Sequence, residues 1–232
     1  MASLFFIVPA GGVGARMQAD RPKQYLMLTE SQSVLAATLS LLQSQGEHTI
    51  AVGISADDGY FANLDLPKDL LRYDAGPNRS DTVRLGLQAI SHLAKDDDWV
   101  IVHDAARPGL TPEELKQFIE QVMKEPNSIG GIMALPAVDT VKQVHAQQIT
   151  HTIDRSTIHL AQTPQMFRYG ILKAAYEEAL TGNLAVTDEA SAVEALGHHP
   201  FVYQGYPHNF KITHPTDLRL MQFLFSERTI CE

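Results

Sequence analysis

A run of apolar residues that leads directly into a glycine-rich turn decides the fold of this chain. Residues 4–17 read LFFIVPAGGVGARM, in which five apolar residues (4–8) precede a proline and three glycines. A continuous apolar run is typical of a strand buried on both faces of a parallel sheet. Glycines at its carboxyl end let backbone N–H groups approach phosphate oxygens without obstruction by side chains. The stretch therefore predicts a phosphate-binding loop at the end of a central strand.

Apolar strands alternate with helices along the rest of the sequence. Further strands are predicted at 50–54, 99–102, 131–135, 160–163 and 201–203, and helices at 34–42, 83–93, 115–123, 171–180, 189–196 and 215–225. This alternation is typical of an α/β fold, with a Rossmann-like, mostly parallel sheet flanked by helices. We find no internal repeat or linker, and residues 1–232 are interpreted as one domain.

A different pattern occupies residues 136–153, where polar and β-branched residues alternate around the central stretch 145–148. Two stretches in which polar and β-branched residues alternate, separated by a polar break, predict an antiparallel β-hairpin. Its apolar content is low, and an isolated two-stranded hairpin is only marginally stable in water. We therefore expect residues 136–155 to form an arm that projects from the domain and rests on another surface, such as a second subunit.

Composition restricts the classes of function. The chain has 232 residues, 44% of them hydrophobic, and no apolar run of the roughly 20 residues that a membrane helix needs. The formal net charge of −9 argues against nucleic acid as a partner, because nucleic-acid proteins usually present a basic face. Cys231 is the only cysteine, and the N-terminus lacks the basic segment of a secretory signal, so we expect a cytoplasmic protein.

Three cations follow the glycine turn. Arg16, Arg21 and Lys23 fall within eight residues. Two familiar phosphate loops do not fit, since a dinucleotide fingerprint that begins at Gly12 needs glycine in place of Met17, and a P-loop needs Gly-Lys-Ser/Thr. Glycines beside cations indicate a triphosphate site for phosphoryl or nucleotidyl transfer. The alternative is a tight turn with ordinary surface charges.

A second buried strand, residues 99–102, is followed by His103, Asp104 and Arg107. Ligands of open α/β sheets bind at the carboxyl ends of the strands, so Asp104 and Arg107 are expected to share a crevice with the glycine turn. A carboxylate there is a natural ligand for Mg²⁺. The alternative is a structural ion pair between Asp104 and Arg107. His103 is interpreted as a hydrogen-bonded histidine at the strand end.

Seven short motifs carry a resemblance that extends over almost the whole chain. They read PAGGVGARM (9–17), PKQY (22–25), VHDAARP (102–108), DTVK (139–142), TPQ (163–165), TDEA (187–190) and NFKIT (209–213). In this order they resemble the 2-C-methyl-D-erythritol 4-phosphate cytidylyltransferase family. The sequence departs from the family pattern at Gly11, where an alanine is common, but one small residue in place of another in a turn puts little of the resemblance in doubt.

The resemblance implies a nucleotidyltransferase-type fold and a homodimeric, Mg²⁺-dependent enzyme of non-mevalonate isoprenoid biosynthesis. Such an enzyme joins CTP to the sugar-alcohol phosphate and releases pyrophosphate. The family's functional residues map onto this sequence as catalytic Arg16, Lys23 and Lys211; nucleotide-binding Ala10, Gly11, Gly12, Val13, Gly14, Gly76, Thr82, Asp104 and Ala105; substrate-binding Arg107, Thr140, Arg155 and Thr163; and Asp104 again as the metal ligand. Thr140 and Arg155 would act from the arm of the partner subunit.

Two other functions compete with this interpretation. A ribitol 5-phosphate cytidylyltransferase would share the fold and the CTP loop and differ in the sugar pocket. A catalytically silent nucleotide-binding module would be free to lose Arg16, Lys23, Asp104 and Lys211, all of which are present. Asp188 and Glu189 are interpreted as the cap of the following helix rather than as a second metal site.

Overall fold

A mixed β-sheet with helices on both faces forms the body of the protein. The computed structural model describes residues 2–12, 14, 17, 19–66 and 69–231. The strands are β1 (Leu4–Pro9), β2 (Thr49–Ile54), β3 (Leu70–Asp74), β4 (Trp99–Val102), β5 (Gly130–Pro136), β6 (Val141–His145), β7 (Gln148–Ile153), β8 (His159–Arg168) and β9 (Phe201–Gln204). The helices are α1 (Val34–Gln43), α2 (Arg79–Ala89), α3 (Pro112–Lys124), α4 (Tyr169–Thr181), α5 (Glu189–Ala195) and α6 (Pro215–Cys231).

The strand order places a crevice between β1 and β4. Within the described residues, seven strands form one sheet in the order β3-β2-β1-β4-β8-β5-β9. Neighbouring strands are parallel except that β8 runs antiparallel to both β4 and β5, which confirms the mostly parallel α/β prediction. The chain passes from β3 to the far side of β1 to form β4, and ligands of open α/β sheets bind at such a reversal of strand order.

The apolar run of β1 is buried on both sides, as its composition predicts. Phe6 and Val8 pack on one face with residues of α1 and α3, whereas Phe5 and Ile7 pack on the other face with residues of α2, α4 and α5. Adjacent residues of a strand point to opposite faces, so a sheet covered by helices on both sides needs apolar residues at every position. This sandwich holds the carboxyl ends of β1 and β4 side by side.

Two of the differences from the sequence prediction bear on the site. The edge strand β3 was not predicted, because its residues LLRYD are only partly buried and lack a continuous apolar run. Helix α2 begins at Arg79 instead of residue 83, since Asn78 caps it by accepting a hydrogen bond from the backbone N–H of Asp81. The loop between β3 and α2 therefore reaches the same edge of the sheet as the glycine turn.

The predicted hairpin is present as β6 and β7, which pair with each other and stand apart from the main sheet. Three apolar side chains of residues 136–155 are exposed in the single chain, with Val138, Val144 and Ile149 at 80%, 55% and 64% exposure. No helix in the described part of the chain is long and apolar enough to cross a membrane.

Candidate active site

A cavity of about 330 Å³ opens at the carboxyl edge of the sheet, between the glycine turn and the end of β4. Three separate stretches of the chain and one distant lysine form its wall. They contribute Pro9, Ala10, Gly11, Gly12, Gly14, Lys23 and Gln24; Gly76, Pro77, Asn78, Arg79 and Thr82; Asp104, Ala105 and Ala106; and Lys211. The structure thus brings together most of the residues that the sequence singled out for nucleotide binding and catalysis.

The glycine turn is held by a buried glutamine. The side-chain Nε2 of Gln24 donates to the backbone oxygens of Ala10 (2.8 Å) and Gly12 (3.0 Å). Gly14 has a φ of 65°, in the left-handed region that favours glycine. The predicted residues Arg16 and Val13 lie outside the described residues.

Gly11 is more constrained than the sequence suggested. A Cβ added at Gly11 would lie 2.3 Å from the Cβ of Ala75, in the loop after β3. Two carbon atoms cannot approach so closely, so an alanine at this position needs a shift of the backbone. Glycine therefore fits beside Ala75 without such a shift, and the departure from the family pattern leaves the family resemblance intact.

Lys23, from the cationic stretch after the glycine turn, contacts the segment that contains Lys211. It begins a short 3₁₀ turn (Lys23–Tyr25), and its Nζ donates to the backbone oxygen of Ile212 at 2.6 Å. Ile212 follows Lys211, whose Nζ lies 2.9 Å from Asp104 Oδ2. Two lysines that are far apart in the sequence therefore meet at one end of the cavity.

Asp104 is the buried centre of this charge cluster. Its Oδ1 accepts from Arg79 Nε at 2.9 Å, while Oδ2 pairs with Arg107 Nε at 3.2 Å and with Lys211 at 2.9 Å. Burial alone would raise the pKa of the Asp104 carboxyl, but the positive charges of Arg79, Lys211 and Arg107 hold it well below its usual value. The carboxylate is therefore ionised and surrounded by cations.

Arg107 and Thr163 position the turn that carries Asp104. Arg107 Nη1 donates to the backbone oxygen of Asn209 at 2.8 Å, and Thr163 Oγ1 accepts from the backbone N–H of Asp104 at 3.0 Å. The ring of His103 bonds through Nε2 to the Arg107 oxygen at 2.9 Å, whereas its buried Nδ1 has no hydrogen-bond partner among the described residues, so the interpretation as a hydrogen-bonded strand-end histidine holds for one ring nitrogen only. Burial lowers the pKa of His103 to about 4, so the ring is neutral.

The loop before α2 forms the opposite wall. The backbone N–H of Gly76 donates to Thr82 Oγ1 at 3.1 Å, and a Cβ at Gly76 would lie 2.4 Å from Asp81 Cβ, so only glycine fits there. The first turn of α2 borders the cavity, and the partial positive charge of a helix N-terminus attracts anions.

Thr140 and Arg155 lie elsewhere in the single chain. Both are exposed, one just before β6 and the other just after β7, and Arg155 Nη1 bonds to the backbone oxygen of Val138. Neither residue belongs to the wall of the cavity described above.

Three residues of the site were given no role from the sequence. Gln24 stands inside the PKQY motif and Arg79 is the first residue of α2, so their neighbourhood was noticed but not their contacts. Glu189 was interpreted as part of a helix cap. Asp188 does cap α5, whereas Glu189 turns inward and pairs with Arg79 at 2.8 Å. Only the tertiary structure joins these residues to Asp104.

The donor set fits a metal ion that arrives with a polyphosphate. Among the described residues, no three histidine, cysteine or acidic side chains are grouped to hold a metal by themselves. Asp104 presents a carboxylate to the cavity, and a carboxylate oxygen has two lone pairs, so Oδ1 can bind a metal while it accepts from Arg79. Mg²⁺ commonly takes one or two carboxylates and completes its shell with substrate phosphates and water.

The family model that matches this chain and two of its curated relatives carry the same description. The family model described as 2-C-methyl-D-erythritol 4-phosphate cytidylyltransferase matches residues 4–227. A curated protein of that name from Vibrio vulnificus is 42% identical over 230 residues, which span 97% of this chain and 96% of the relative. Another from Bordetella pertussis is 45% identical over 226 residues, 95% of this chain and 97% of the relative.

The fold agrees with solved structures. The crystal structure of 2-C-methyl-D-erythritol 4-phosphate cytidylyltransferase from Francisella tularensis superposes with a TM-score of 0.81 at 35% identity, and the match covers 96% of this chain and all of that chain. The similarity in sequence and in fold therefore extends over nearly the whole length.

Proposed function

The chain belongs to the 2-C-methyl-D-erythritol 4-phosphate cytidylyltransferase family, and we propose that it carries out this family's reaction in the cavity between the glycine turn and Asp104. The enzyme joins CTP and 2-C-methyl-D-erythritol 4-phosphate to give 4-diphosphocytidyl-2-C-methyl-D-erythritol and pyrophosphate, a step of isoprenoid biosynthesis. The observation that supports the proposed location is the meeting of a glycine turn, two lysines and a buried carboxylate in one cavity.

The reaction makes and breaks one P–O bond. An oxygen of the sugar-alcohol phosphate attacks the α-phosphorus of CTP, and the bond from that phosphorus to the oxygen that bridges it to the β-phosphorus breaks. The attacking phosphate is already anionic, so a strong general base is unnecessary. The difficulty is to bring two polyanions together and to stabilise the charge of the transition state. Lys23 and Lys211, together with Arg16, have the charge that this requires.

The nucleotide is proposed to bind along the part of the cavity wall that backbone groups of the glycine turn form. Residues Ala10, Gly11, Gly12 and Gly14, with Val13, would cradle the triphosphate through backbone N–H groups. Gly76 and Thr82 would contact the cytidine, at the N-terminus of α2. Asp104 and Ala105 would close the cavity from the end of β4.

The proposed metal is Mg²⁺, and Asp104 would hold it. Nucleotidyltransferases generally use a divalent metal, and magnesium supplies positive charge that neutralises the triphosphate in the transition state. Asp104 is suited to this role because its ionised carboxylate borders the cavity. Arg107 and Lys211 keep that carboxylate in a fixed orientation through their contacts with Oδ2.

The sugar-alcohol phosphate is proposed to bind between two subunits. Thr163 and Arg107 would contribute from the chain that holds the nucleotide. Thr140 and Arg155 would come from residues 136–155 of a second copy, acting as a dimerisation arm. The exposed apolar side chains of that hairpin support this proposal, because they need a partner surface. An exchange of identical elements is a common route to a two-fold dimer.

We place the reaction in the cytoplasm, because both substrates are intracellular phosphorylated metabolites. The single cysteine, Cys231, agrees with a reducing compartment.

The decisive experiment is a substrate comparison with the purified protein. The protein is incubated with Mg²⁺ and CTP together with 2-C-methyl-D-erythritol 4-phosphate, with ribitol 5-phosphate, or with neither, and pyrophosphate release is measured. We expect release only with the methylerythritol substrate. Release with ribitol 5-phosphate alone would contradict the assignment of the sugar alcohol, and CTP binding without any turnover would indicate a silent binding module.

A further inference from the structure

A fully buried carboxylate lies behind the wall of the cavity. Glu189, the first residue of α5, has no exposed surface. Its Oε1 and Oε2 accept from Arg79 Nη1 and Nη2 at 2.8 and 3.0 Å. The hydroxyl of Tyr176 donates to Oε1 at 2.9 Å. The contact between Arg79 and Glu189 is thus the two-pronged pair that a guanidinium forms with a carboxylate.

The third nitrogen of the same guanidinium, Nε, bonds to a residue of the active site. Arg79 Nε donates to Asp104 Oδ1 at 2.9 Å, so one planar group joins Glu189 to Asp104. Since the guanidinium is rigid, fixing its two Nη atoms also fixes the direction of its Nε–H bond. Glu189 therefore determines how Arg79 meets Asp104, although it does not itself line the cavity.

The start of α5 is held against the sheet, so Glu189 is a fixed anchor. Gln165, a buried residue of β8, donates through Nε2 to Asp188 Oδ2 at 2.8 Å and accepts at Oε1 from the backbone N–H of Ala190 at 2.9 Å. These bonds flank Glu189 on both sides. The anchor thus depends on β8, which also carries Thr163.

Stability alone does not account for this arrangement. A buried ion pair loses hydration free energy that its own attraction only partly recovers, and apolar replacements are often as stable. Without Glu189, Arg79 could turn two N–H groups toward Asp104 and occupy the lone pair of Oδ1. With Glu189 in place, Arg79 gives Asp104 a single hydrogen bond, from Nε to Oδ1.

We propose that Glu189 is a positioning residue for nucleotidyl transfer, which holds Arg79 so that the Asp104 carboxylate stays oriented toward the bound triphosphate. The inference rests on the proposed function of the cavity. Glu189 acts through Arg79 and touches neither substrate. Supporting residues of this kind typically change metal affinity or activity roughly 10- to 100-fold when they are replaced.

The test compares Glu189→Gln with the wild type. Glutamine keeps the size of the side chain but cannot form the charged two-pronged pair. We expect kcat to fall roughly 10- to 100-fold and magnesium–CTP to bind more weakly by calorimetry, with a smaller change in the KM of the methylerythritol substrate. Tyr176→Phe removes one hydrogen bond to Glu189 and leaves the pair between Glu189 and Arg79, so its fall in kcat should be smaller than that of Glu189→Gln.

Asp98→Asn is the matched control. Asp98 is also a buried carboxylate, and it accepts from the backbone N–H groups of Ser3 and Lys95. It lies just before β4, at the amino end of that strand and away from the cavity. We expect it to lower the melting temperature and leave kcat and CTP binding unchanged. If Glu189→Gln behaves in the same way, Glu189 is only structural and the proposal is wrong.

A double variant tests whether Glu189 acts through Arg79. Arg79→Gln with Glu189→Gln removes both charges, which avoids leaving either one buried and unpaired. If the proposal is correct, this variant has the kcat of Arg79→Gln alone, because the second change has nothing left to position. A further loss of about tenfold in the double variant would overturn it. Wild-type turnover in the same assay tests the proposed function separately.

Discussion

One carboxylate among three cations sets the local charge of the cavity. Asp104 pairs with Arg79, Arg107 and Lys211, and Lys23 stands at the same end. Glu189, which does not line the cavity, offsets the positive charge of Arg79. The wall nevertheless remains positive, although the whole chain carries a formal charge of −9. A polyanion is therefore attracted by groups a few ångströms away, where the distant charges are largely screened.

Lys23→Ala tests the clearest of these cations. We expect kcat to fall roughly 10²-fold or more, as when other donors to a developing negative charge are removed. Pyrophosphate release gives the rate, and thermal unfolding should show little change in Tm. Lys116→Ala, an exposed lysine of α3, is the control and should keep full activity. Near-normal kcat in Lys23→Ala would exclude a role in the transition state.

Gly11→Ala tests the crowding in the glycine turn. The new Cβ would meet Ala75 Cβ at 2.3 Å, so we expect a loss of about 1–3 kcal/mol in unfolding free energy, as for other overpacked sites. Denaturant unfolding measures it. Adding Ala75→Gly should restore stability by removing the atom that clashes.

Gly12→Ala is the control for that stability measurement, because a Cβ there meets no atom within 4 Å. It should unfold like the wild type. Equal stability of Gly11→Ala and Gly12→Ala would contradict the described packing of the turn.

At the scale of single elements, the helix ends set the edges of the site. Asn78 starts α2 beside the cavity, and Asp188 starts α5 with Glu189 directed inward. Both use a short polar side chain that accepts from a backbone N–H of the first turn. The position of a cap therefore decides which following side chain faces the crevice.

Thr111→Ala tests a cap that is remote from the chemistry. Thr111 and Glu114 form a reciprocal capping box at the start of α3. We expect a loss of about 1 kcal/mol in unfolding free energy, with kcat unchanged. Thr111→Ser keeps the accepting oxygen and should recover most of the loss. A large fall in kcat would mean that α3 takes part in forming the cavity.

At the scale of the whole molecule, the sheet brings distant segments together and the hairpin extends away from them. Lys211 reaches Asp104 from the segment before α6, and Arg79 reaches it from the first turn of α2. Thr140 and Arg155 stay on the exposed hairpin. A complete site for the sugar-alcohol phosphate is thus proposed to need two copies of the chain.

A mixed dimer tests this sharing. Lys23→Ala and Arg155→Ala are each expected to be nearly inactive. If a site takes Lys23 from one chain and Arg155 from the other, a heterodimer of the two variants contains one intact site. Co-expression with different tags and isolation of the heterodimer should then give about half the wild-type rate per dimer. A heterodimer as inactive as its parents would show that both residues act within one chain.

The α/β class, the glycine turn and the hairpin could all be predicted from the sequence. These features are local: an apolar run marks a buried strand, closely spaced glycines mark a turn that side chains would obstruct, and polar alternation marks an exposed hairpin. The resemblance also supplied the reaction and most residues of the cavity wall. The edge strand β3 was not predicted, because a partly exposed strand has no continuous apolar signal.

The contacts between side chains of the site became visible only in the folded chain. The bonds from Glu189 to Arg79 and from Arg79 to Asp104 join residues separated by 110 and 25 positions, and no local pattern encodes such distances. The close approach of Gly11 to Ala75 has the same origin, since β1 and β3, which flank β2, bring their following loops to the same end of the sheet. Helix caps and strand periods depend on adjacent residues, whereas the chemistry of this site depends on contacts that form only when the sheet assembles.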